Sequence, residues 1–396
     1  MTARRPTARP ARIGIDAHLL SFAGSYRQAG VSRYIAELLR ALAGDADAAG
    51  DHDYLAFVGP EPVPPGFLPA STTGRLRFVH SRLPTARPLE RIAWEQALGP
   101  VAALRARLDL IHGPVNALPL AAPGRGVVTI HDLAFLAHPR ALGAARRRYL
   151  TLLTALSARR AARIIAVSAF TRDEVVRRLR VPARKVAVVH NAVDPAFAPL
   201  PAAEIARFRA EQRLPERVIL CVGTLEPRKN LVGLLDAFAR LAPRTDAELV
   251  VVGGQGWLYD AALARVATLG LTGSVRFAGF VPDADLPRWY NAATLFVYPS
   301  LYEGFGLPPL EALACGVPTV TGAGTAMAEI VGDAALLTDP RDPAALAAAL
   351  ARLLDDPALR ATLRERGPRQ AAPFTWARTA AATRAVYDEV LTHRPR

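Results

Sequence analysis

The chain has 396 residues, of which 51% are apolar and 7% aromatic, a composition that excludes an intrinsically disordered protein. Lys and Arg number 49 against 35 Asp and Glu, a net charge of +14, and only two of the 49 are lysines. The length exceeds one ordinary hydrophobic core and suits two domains of about 200 residues each.

Short apolar runs alternate with helical patterns along the chain. The strand candidates of the first half are Arg12–Ile15, Tyr54–Val58, Leu108–His112, Gly126–Ile130, Arg163–Val167 and Val186–Val189. Those of the second half are Val218–Val222, Leu249–Val252, Val275–Phe277, Leu295–Tyr298 and Pro318–Thr321. Strands buried on both faces and joined by helices form parallel sheets, so the sequence predicts an α/β fold with one parallel sheet in each half.

Composition places the boundaries between these halves. We expect a disordered tail over residues 1–11, a first domain over 12–194 and a second domain over 216–374. The segment Pro195–Pro215 is rich in proline and alanine and is the natural linker. Phe374–Trp376 interrupts the pattern, and a final helix, Ala377–Leu391, lies within a last segment, 375–393.

One of the two lysines, Lys229, follows the apolar strand 218–222 in the segment Thr224–Asn230. Leucines then recur at helical spacing from Leu231, so residues 227–230 form a strand-to-helix turn with Asn230 as a reasonable N-cap. Free N–H groups and the helix dipole favour an anion there, and Arg228 and Lys229 add two charges. The turn predicts a phosphate or diphosphate site, although one of two lysines could fall there by chance.

A second strand-to-helix turn lies at Glu303–Pro309, where Pro309 is expected to open a helix. Glu303 then lies on the loop and Glu311 in the first helical turn, with glycines between them that let a ligand approach the backbone. One carboxylate could orient a sugar and the other could accept from a ribose diol. Alternatively, Glu311 only complements the helix dipole.

The segment from Glu303 to Glu311 resembles the glutamate, seven residues, glutamate signature of retaining glycosyltransferases, and the chain resembles glycosyltransferase family 4 over about residues 12–390. The other segments in family order are Asp16, Gly30–Tyr34, Trp94–Gln96, His131–Leu133, Val167–Thr171, His190–Asp194, Pro227–Asn230 and Gly279–Val281. The resemblance implies the GT-B fold, in which two Rossmann-like domains face each other across a cleft and the last helix crosses back to the first domain. The chain departs from the family at Thr325–Ile330, where relatives often end a polar stretch in Pro-Glu-Val.

The resemblance also implies roles for individual residues. The expected catalytic residues are Arg228 and Lys229 on the donor diphosphate, Glu303 on the transferred sugar, and His131 facing the reaction centre. The expected donor-binding residues are Gly30, Phe280, Val281, Gly304, Phe305, Gly306, Leu307 and Glu311, with Glu311 on the ribose. The expected acceptor-side residues are Arg33, Trp94 and Asp132.

Histidine, serine and asparagine side chains close several strands of the first half. His112, His131, Ser168 and Asn191 each follow an apolar run, at the sheet edge where open α/β folds bind ligands. A lone histidine is more often structural, and His112 and His190 are interpreted so. The pair His131-Asp132, in register with the family, favours a functional role for His131.

The positive charge is confined to one half. Residues 1–195 hold 28 Lys and Arg against 14 Asp and Glu, whereas the rest of the chain balances. We expect an anionic acceptor, or an anionic membrane surface, on the first domain, with Arg146–Arg148, Arg159-Arg160 and Arg177-Arg178 contributing. The alternative is a solvated arginine-rich face. Nucleic acid is not expected, because no recognition motif accompanies the charge.

The sequence contains no motif that predicts a cofactor site, a metal site or a membrane span. The acidic pairs Asp45-Asp47, Asp51-Asp53 and Asp283-Asp285 lie in loops, and Gly253–Gly256 lacks the dinucleotide fingerprint, so neither metal nor cofactor is expected. Cys221 and Cys315 lie in apolar segments, which favours buried reduced thiols. No apolar run of spanning length occurs, and we expect a cytoplasmic protein, peripheral at the inner membrane face.

The resemblance to the family, together with the cations at Arg228 and Lys229, implies a retaining, metal-independent hexosyltransferase. The donor would be a nucleoside diphosphate sugar, GDP-mannose rather than UDP-glucose, and the acceptor a saccharide or lipid-linked saccharide in cell-envelope or exopolysaccharide synthesis. The family suggests front-face attack, with the leaving phosphate taking the acceptor proton. Two alternatives stay open, a GT-B sugar-nucleotide epimerase and a non-catalytic partner subunit.

Overall fold

The structure is a computed structural model that describes residues 10–22, 30–44, 52–68, 72, 74–85, 87–138, 143–254 and 259–392. The described residues form two compact units, one drawn from 1–136, 142–191 and 376–396 and the other from 137–141 and 192–375. Most of the predicted tail, Asp45, Asp47 and Asp51, and the end of the Gly253–Gly256 segment lie outside the described residues.

The first unit is built on a seven-stranded parallel sheet with the order β3-β2-β1-β4-β5-β6-β7. Its strands are β1 Ala11–Asp16, β2 His52–Val58, β3 Leu76–His80, β4 Leu110–Gly113, β5 Arg125–Ile130, β6 Arg163–Ala166 and β7 Val186–Val188. The helices among them are α1 Val31–Gly44, α2 Pro88–Ala93, α3 Gly99–Arg105, α4 Ala134–Ala137, α5 Ala144–Arg160 and α6 Ala169–Leu179. Because the central strands are buried on both faces, they read as apolar runs in the sequence.

The second unit holds a six-stranded parallel sheet with the order β10-β9-β8-β11-β12-β13. Its strands are β8 Val218–Val222, β9 Glu248–Val252, β10 Val275–Gly279, β11 Leu295–Tyr298, β12 Thr319–Gly322 and β13 Leu336–Thr338. Its helices are α7 Ala202–Glu211, α8 Leu231–Leu241, α9 Tyr259–Thr268, α10 Leu286–Ala292, α11 Leu307–Ala314, α12 Ala326–Val331, α13 Pro343–Asp355 and α14 Pro357–Ala371. The predicted class of two parallel-sheet, Rossmann-like α/β domains is therefore confirmed.

Helix α8 shows why the sequence folds this way in the second unit. It buries Leu231, Leu234, Leu235, Phe238 and Leu241 on one face against the sheet and α13. Each such side chain contributes about 1.5–3 kcal/mol when fully buried. The face therefore fixes the helix on β8 and sets the direction of the turn that precedes it.

The structure differs from the sequence-based expectations in three places. The supposed linker contains helix α7, which docks on α10 and buries Phe208 against the ring of Trp289. Strands β3 and β13 were not anticipated, because β3 buries only part of its length at the sheet edge and β13 has three residues. Helix α11 begins at Leu307 rather than Pro309, so Glu311 is its fifth residue and lies beyond the first turn.

The last helix, α15 Trp376–Thr392, belongs to the first unit. It packs against α1, and Tyr387 donates or accepts a 2.7 Å hydrogen bond with Nδ1 of His112 on β4. Asp388 lies 2.9 Å from Nε2 of His52, and Glu389 lies 2.9 Å from Arg163. The chain therefore leaves the first unit near residue 191 and returns to it at residue 376.

Candidate active site

The turn after β8 presents Arg228 and Lys229 from a short 3-10 segment, Pro227–Lys229. Asn230 follows with a left-handed backbone, φ 58°, a conformation that asparagine tolerates better than most residues. Asn230 occupies the N-cap position of α8, as predicted, but its side chain makes no cap hydrogen bond and its amide donates instead to the carbonyl of Pro340 at 2.5 Å. The tie to Pro340 fixes the end of the turn instead.

The turn after β11 lies beside this one, because β8 and β11 are neighbours in the sheet. The carbonyl of Arg228 accepts from the Leu301 N–H at 2.7 Å, and the Ser300 hydroxyl oxygen lies 3.0 Å from the same carbonyl. The Leu301 bond joins the backbones of the two turns. The side chains that they carry are consequently held in a fixed relation.

Four donors converge on one oxygen, Oε1 of Glu303. Lys229 Nζ lies 2.6 Å from it, Arg228 Nη1 2.7 Å, the Ser300 hydroxyl 2.7 Å and the Tyr298 hydroxyl 3.0 Å. Lys229 also donates to the Tyr298 hydroxyl, and its ammonium lies 4.9 Å from the centre of that ring. The two cations assigned to the diphosphate and the carboxylate assigned to the sugar thus form one cluster.

This cluster is electrostatically polarised. Burial would raise the pKa of Glu303, but the charges of Arg228 and Lys229 and the hydrogen bonds from Lys229 and Ser300 lower it to about 2. Burial lowers the pKa of Lys229, whereas the nearby Glu303 carboxylate raises it. We take Lys229 as protonated because it lies 2.6 Å from an ionised carboxylate. Arg228 also pairs through Nε with the Glu226 carboxylate at 3.0 Å, so two carboxylates balance the two cations, and the partly exposed Glu226 is the partner that an incoming anion could replace.

Residues 304–307 link the cluster to α11. Gly306 has φ 104°, and a Cβ there would lie 3.0 Å from Cγ of Met327, so a larger residue would be strained and crowded. Phe305 is buried, with its ring edge-on to Phe374 at 6.0 Å. Met327 belongs to the segment that departs from the family pattern, and it packs directly beneath this glycine turn.

Glu311 lies inside α11 and is 4% exposed. The Tyr290 hydroxyl on α10 donates to its Oε2 at 2.9 Å, and Tyr290 is fully buried. This hydrogen bond fixes the orientation of the Glu311 carboxylate. Tyr290, Tyr298 and Ser300 give no functional signal in the sequence, because each fits an ordinary helix, strand or turn residue.

Two of the expected donor-binding residues, Phe280 and Val281, follow β10. Phe280 is 45% exposed and Val281 is partly exposed. The adjoining ends of β8 and β9 approach closely, since a Cβ on Gly253 would lie 2.0 Å from the carbonyl oxygen of Gly223. The glycine at 253 is therefore explained by backbone contact rather than by a dinucleotide site.

His131 lies just beyond β5 in the first unit. Its Nε2 is 2.8 Å from the carbonyl of Pro114, and its ring meets Tyr34 edge-on at 4.6 Å. Burial lowers its pKa, against the Pro114 hydrogen bond and Asp132, so the ring is neutral at pH 7. A carbonyl can only accept, which assigns the proton to Nε2 and leaves a lone pair on Nδ1.

The other residues expected on the acceptor side have varied surroundings. Asp132 accepts from the Ala134 N–H at 2.9 Å and so caps α4. Trp94 is 6% exposed and packs on Phe57 in the core, so its side chain has a structural role. Arg33 is partly buried on α1, and Gly30, with φ 63°, immediately precedes that helix.

Two family models match the chain, one described as glycosyl transferases group 1 over residues 203–370 and one as glycosyltransferase family 4 over residues 29–197. The O-antigen chain mannosyltransferase B of Escherichia coli is 39% identical over 278 residues, which cover 69% of this chain and 73% of that protein. The serotype-specific mannosyltransferase WbdA of Escherichia coli is 33% identical over 65% of this chain, which spans only 32% of WbdA.

Solved structures share the fold over nearly the whole chain. Sucrose-phosphate synthase of Thermosynechococcus elongatus matches with a TM-score of 0.76 at 24% identity, covering 96% of this chain and 99% of that structure. Anabaena HepE in complex with UDP and glucose matches with a TM-score of 0.72 at 19% identity, covering 97% of this chain and 100% of that structure.

Proposed function

The chain belongs to glycosyltransferase family 4, and from that premise we propose that it transfers a hexose, with retention, from a nucleoside diphosphate sugar to a saccharide acceptor. The observation that carries the proposal is the convergence of Arg228, Lys229 and Glu303 at two neighbouring strand-to-helix turns of the second unit. Arg228 and Lys229 provide positive charge for a diphosphate, and Glu303 provides a carboxylate for the adjoining sugar.

The two carboxylate oxygens of Glu303 have different surroundings and can have different roles. Oε1 receives all four donors of the cluster, whereas Oε2 has no hydrogen-bond partner among the described residues. A carboxylate oxygen fixed in this way is a strong acceptor for a sugar hydroxyl. Lys229 uses two of its three N–H donors, on Glu303 and Tyr298, which leaves one for a phosphate oxygen.

The proposed chemistry breaks the bond between the anomeric carbon and the diphosphate oxygen and forms a bond to the acceptor oxygen on the same face. The acceptor proton passes to the leaving phosphate. Negative charge on the diphosphate grows as the sugar departs, so Arg228 and Lys229 stabilise the transition state more than the ground state. In this proposal the two cations supply the stabilisation without a metal ion.

For the donor we propose GDP-mannose, with UDP-glucose as the second choice. The support is that the matched Escherichia coli proteins are named as mannosyltransferases. Glu311, held by Tyr290, would accept from the ribose hydroxyls, and the exposed Phe280 would border the base. His131 stays a proposed catalytic residue, on the strength of the family resemblance and its neutral ring.

For the acceptor we propose a lipid-linked saccharide in the synthesis of an envelope glycan, at the inner face of the membrane. The support is the charge of residues 1–195, with 28 Lys and Arg against 14 Asp and Glu. On α5, Arg146, Arg148 and Arg159 are exposed in a helix without acidic residues. Among the described residues, no helix has the length and apolar content needed to cross a bilayer.

Titration calorimetry with GDP and then UDP, in the presence of a chelator, tests the donor site first. We expect one nucleotide to bind in the micromolar range without divalent metal, and the corresponding sugar nucleotide to be consumed only when an acceptor is present. Consumption without an acceptor would favour the epimerase alternative. Binding of neither nucleotide would contradict the proposal.

A further inference from the structure

A π-helical turn, Trp94–Leu98, lies between α2 and α3 in the first unit. Such turns are rare and often occur at functional sites. Trp94 packs in the core, and Gln96 donates to the Leu118 carbonyl at 3.0 Å and accepts from the Leu120 N–H at 3.1 Å. Both residues thus have structural roles, whereas the residue between them does not.

That residue, Glu95, is 8% exposed, and its one charged neighbour within ion-pair distance among the described residues is Arg91, 3.4 Å away. Burial and the nearby Asp16 carboxylate raise the pKa of Glu95 to about 8, against the attraction of Arg91. At neutral pH the group is mostly a carboxylic acid. A buried acid with so few hydrogen bonds is costly unless something else pairs with it.

Two further polar atoms near Glu95 are also unpaired. Nδ1 of His18 bonds to Oδ1 of Asp16 at 2.8 Å and its ring packs on Trp94 at 3.8 Å, but its buried Nε2 has no partner within the described chain. The Tyr149 hydroxyl on α5 is likewise buried and unpaired, and it interacts electrostatically with Glu95 and Arg91. Three polar groups from three elements therefore have hydrogen-bonding capacity to spare.

The cluster lies at the ligand-binding edge of the first sheet. Asp16 is the last residue of β1, which pairs with β4 at Ile15 and His112. His131 follows β5, the next strand along that edge. The pKa of His112 is lowered by burial and by His131 and raised by Asp16, which indicates that both His131 and Asp16 lie near it. Carboxyl ends of parallel strands are where open α/β sheets bind ligands.

We propose that Glu95, His18 and Tyr149 form a subsite that binds hydroxyl groups of the acceptor sugar. The proposal rests on the proposed function and specifies that the protein recognises hydroxyl groups on the sugar of the acceptor. A carboxylic acid and a phenol can each donate and accept, which matches the dual character of a sugar hydroxyl. Asp16 repels anions, so the subsite takes a neutral sugar ring rather than the phosphates of a lipid carrier.

Saturation-transfer NMR with methyl α-D-mannoside, and with methyl α-D-glucoside in parallel, tests the subsite on the full chain. We expect a signal for the wild-type protein, a loss of affinity of about tenfold or more in Glu95→Leu, and near-normal affinity in Glu95→Gln, which keeps one donor and one acceptor. No signal from the wild-type protein with either probe, or equal affinity in Glu95→Leu, would overturn the proposal.

A second pair of variants guards against misfolding of Glu95→Leu. Tyr149→Phe and Tyr54→Phe each remove a buried hydroxyl that lacks a partner in the described structure. Both should fold with an unchanged or higher Tm, since an unpaired buried hydroxyl is unfavourable. Only Tyr149→Phe should weaken the glycoside signal, by about threefold or more. Equal affinity in the two variants would count against the subsite.

Nucleotide binding separates this inference from the proposed function. GDP or UDP binding depends on the second unit and should be unchanged in all four variants. A wild-type chain that binds nucleotide but gives no glycoside signal would keep the proposed function and refute the subsite. A chain that binds the glycoside through Glu95 but binds neither nucleotide would support the subsite and refute the proposed function.

Discussion

Replacing Lys229 by alanine tests the cation cluster most directly. The change removes an ammonium that lies 2.6 Å from Glu303 and also donates to Tyr298. Loss of one preorganised donor to developing negative charge costs about 3–4 kcal/mol of transition-state stabilisation, a fall in kcat of roughly 10²–10³-fold. We therefore expect turnover of the sugar nucleotide to fall by that factor.

Folding should survive this change. Removal of one partner from a buried ion pair often costs about 3–5 kcal/mol, because the other charge is left alone. Here Glu303 keeps Arg228 at 2.7 Å and the Ser300 hydroxyl at 2.7 Å, so we expect a loss of only about 1–2 kcal/mol in the free energy of unfolding. Circular dichroism and urea denaturation would measure this difference.

The chain supplies a matched control in its other lysine. Lys185 donates to the Arg159 carbonyl at 2.7 Å in an exposed turn of the first unit, so Lys185→Ala should leave kcat unchanged. Lys229→Arg keeps the charge but replaces a compact ammonium by a planar fork, and it should recover only part of the rate. A folded Lys229→Ala enzyme with kcat within about threefold of the wild type would refute the role assigned to the cluster.

Three further predictions concern other parts of the molecule. Tyr290→Phe removes the hydroxyl that holds Glu311, so calorimetry should show nucleotide affinity about 5–10-fold weaker, with little change in kcat. Unchanged affinity would contradict the proposed contact between Glu311 and the ribose. Gly253→Ala places a Cβ 2.0 Å from the Gly223 carbonyl oxygen and should destabilise the second unit by about 3 kcal/mol or more; a wild-type Tm would contradict the close approach. Burial, and to a lesser extent His131, lowers the pKa of His112 to about 3, although Asp16 acts in the opposite direction. The folded protein therefore favours the neutral ring, and this contribution to stability is complete above about pH 6.5. It declines as the pH falls toward 3, by up to about 1.4 kcal/mol per pH unit. Urea denaturation between pH 4 and 7 should show a shallower decline in His112→Gln than in the wild type.

The sequence was sufficient to predict the parallel sheets, because strands covered on both faces leave apolar runs such as 218–222 and 295–298. It was not sufficient for elements with little burial. Strand β3 exposes most of its residues, and helix α7 buries only Phe208, so neither produces a periodic apolar signal.

The candidate site was only partly predictable for a different reason. Arg228, Lys229 and Glu303 each stand out by residue type and by position after a strand. Their convergence on one oxygen depends on β8 and β11 being neighbours, and the order of strands in a sheet is not encoded in local periodicity. Tyr298 escaped notice because it also fits an ordinary buried strand.

The return of the last helix to the first unit has a consequence for synthesis on the ribosome. Residues 192–375 form a continuous stretch that is made before α15 emerges, so the second unit has its whole sequence available while the first still lacks Tyr387 and Asp388. The N-terminal half is therefore translated first but completed last, although nascent domains usually fold in the order in which they are made. A nascent chain halted before residue 376 would expose the surfaces of α1, β5 and β6 that α15 normally covers, so chaperones that bind apolar surface would act on the first unit rather than on the second.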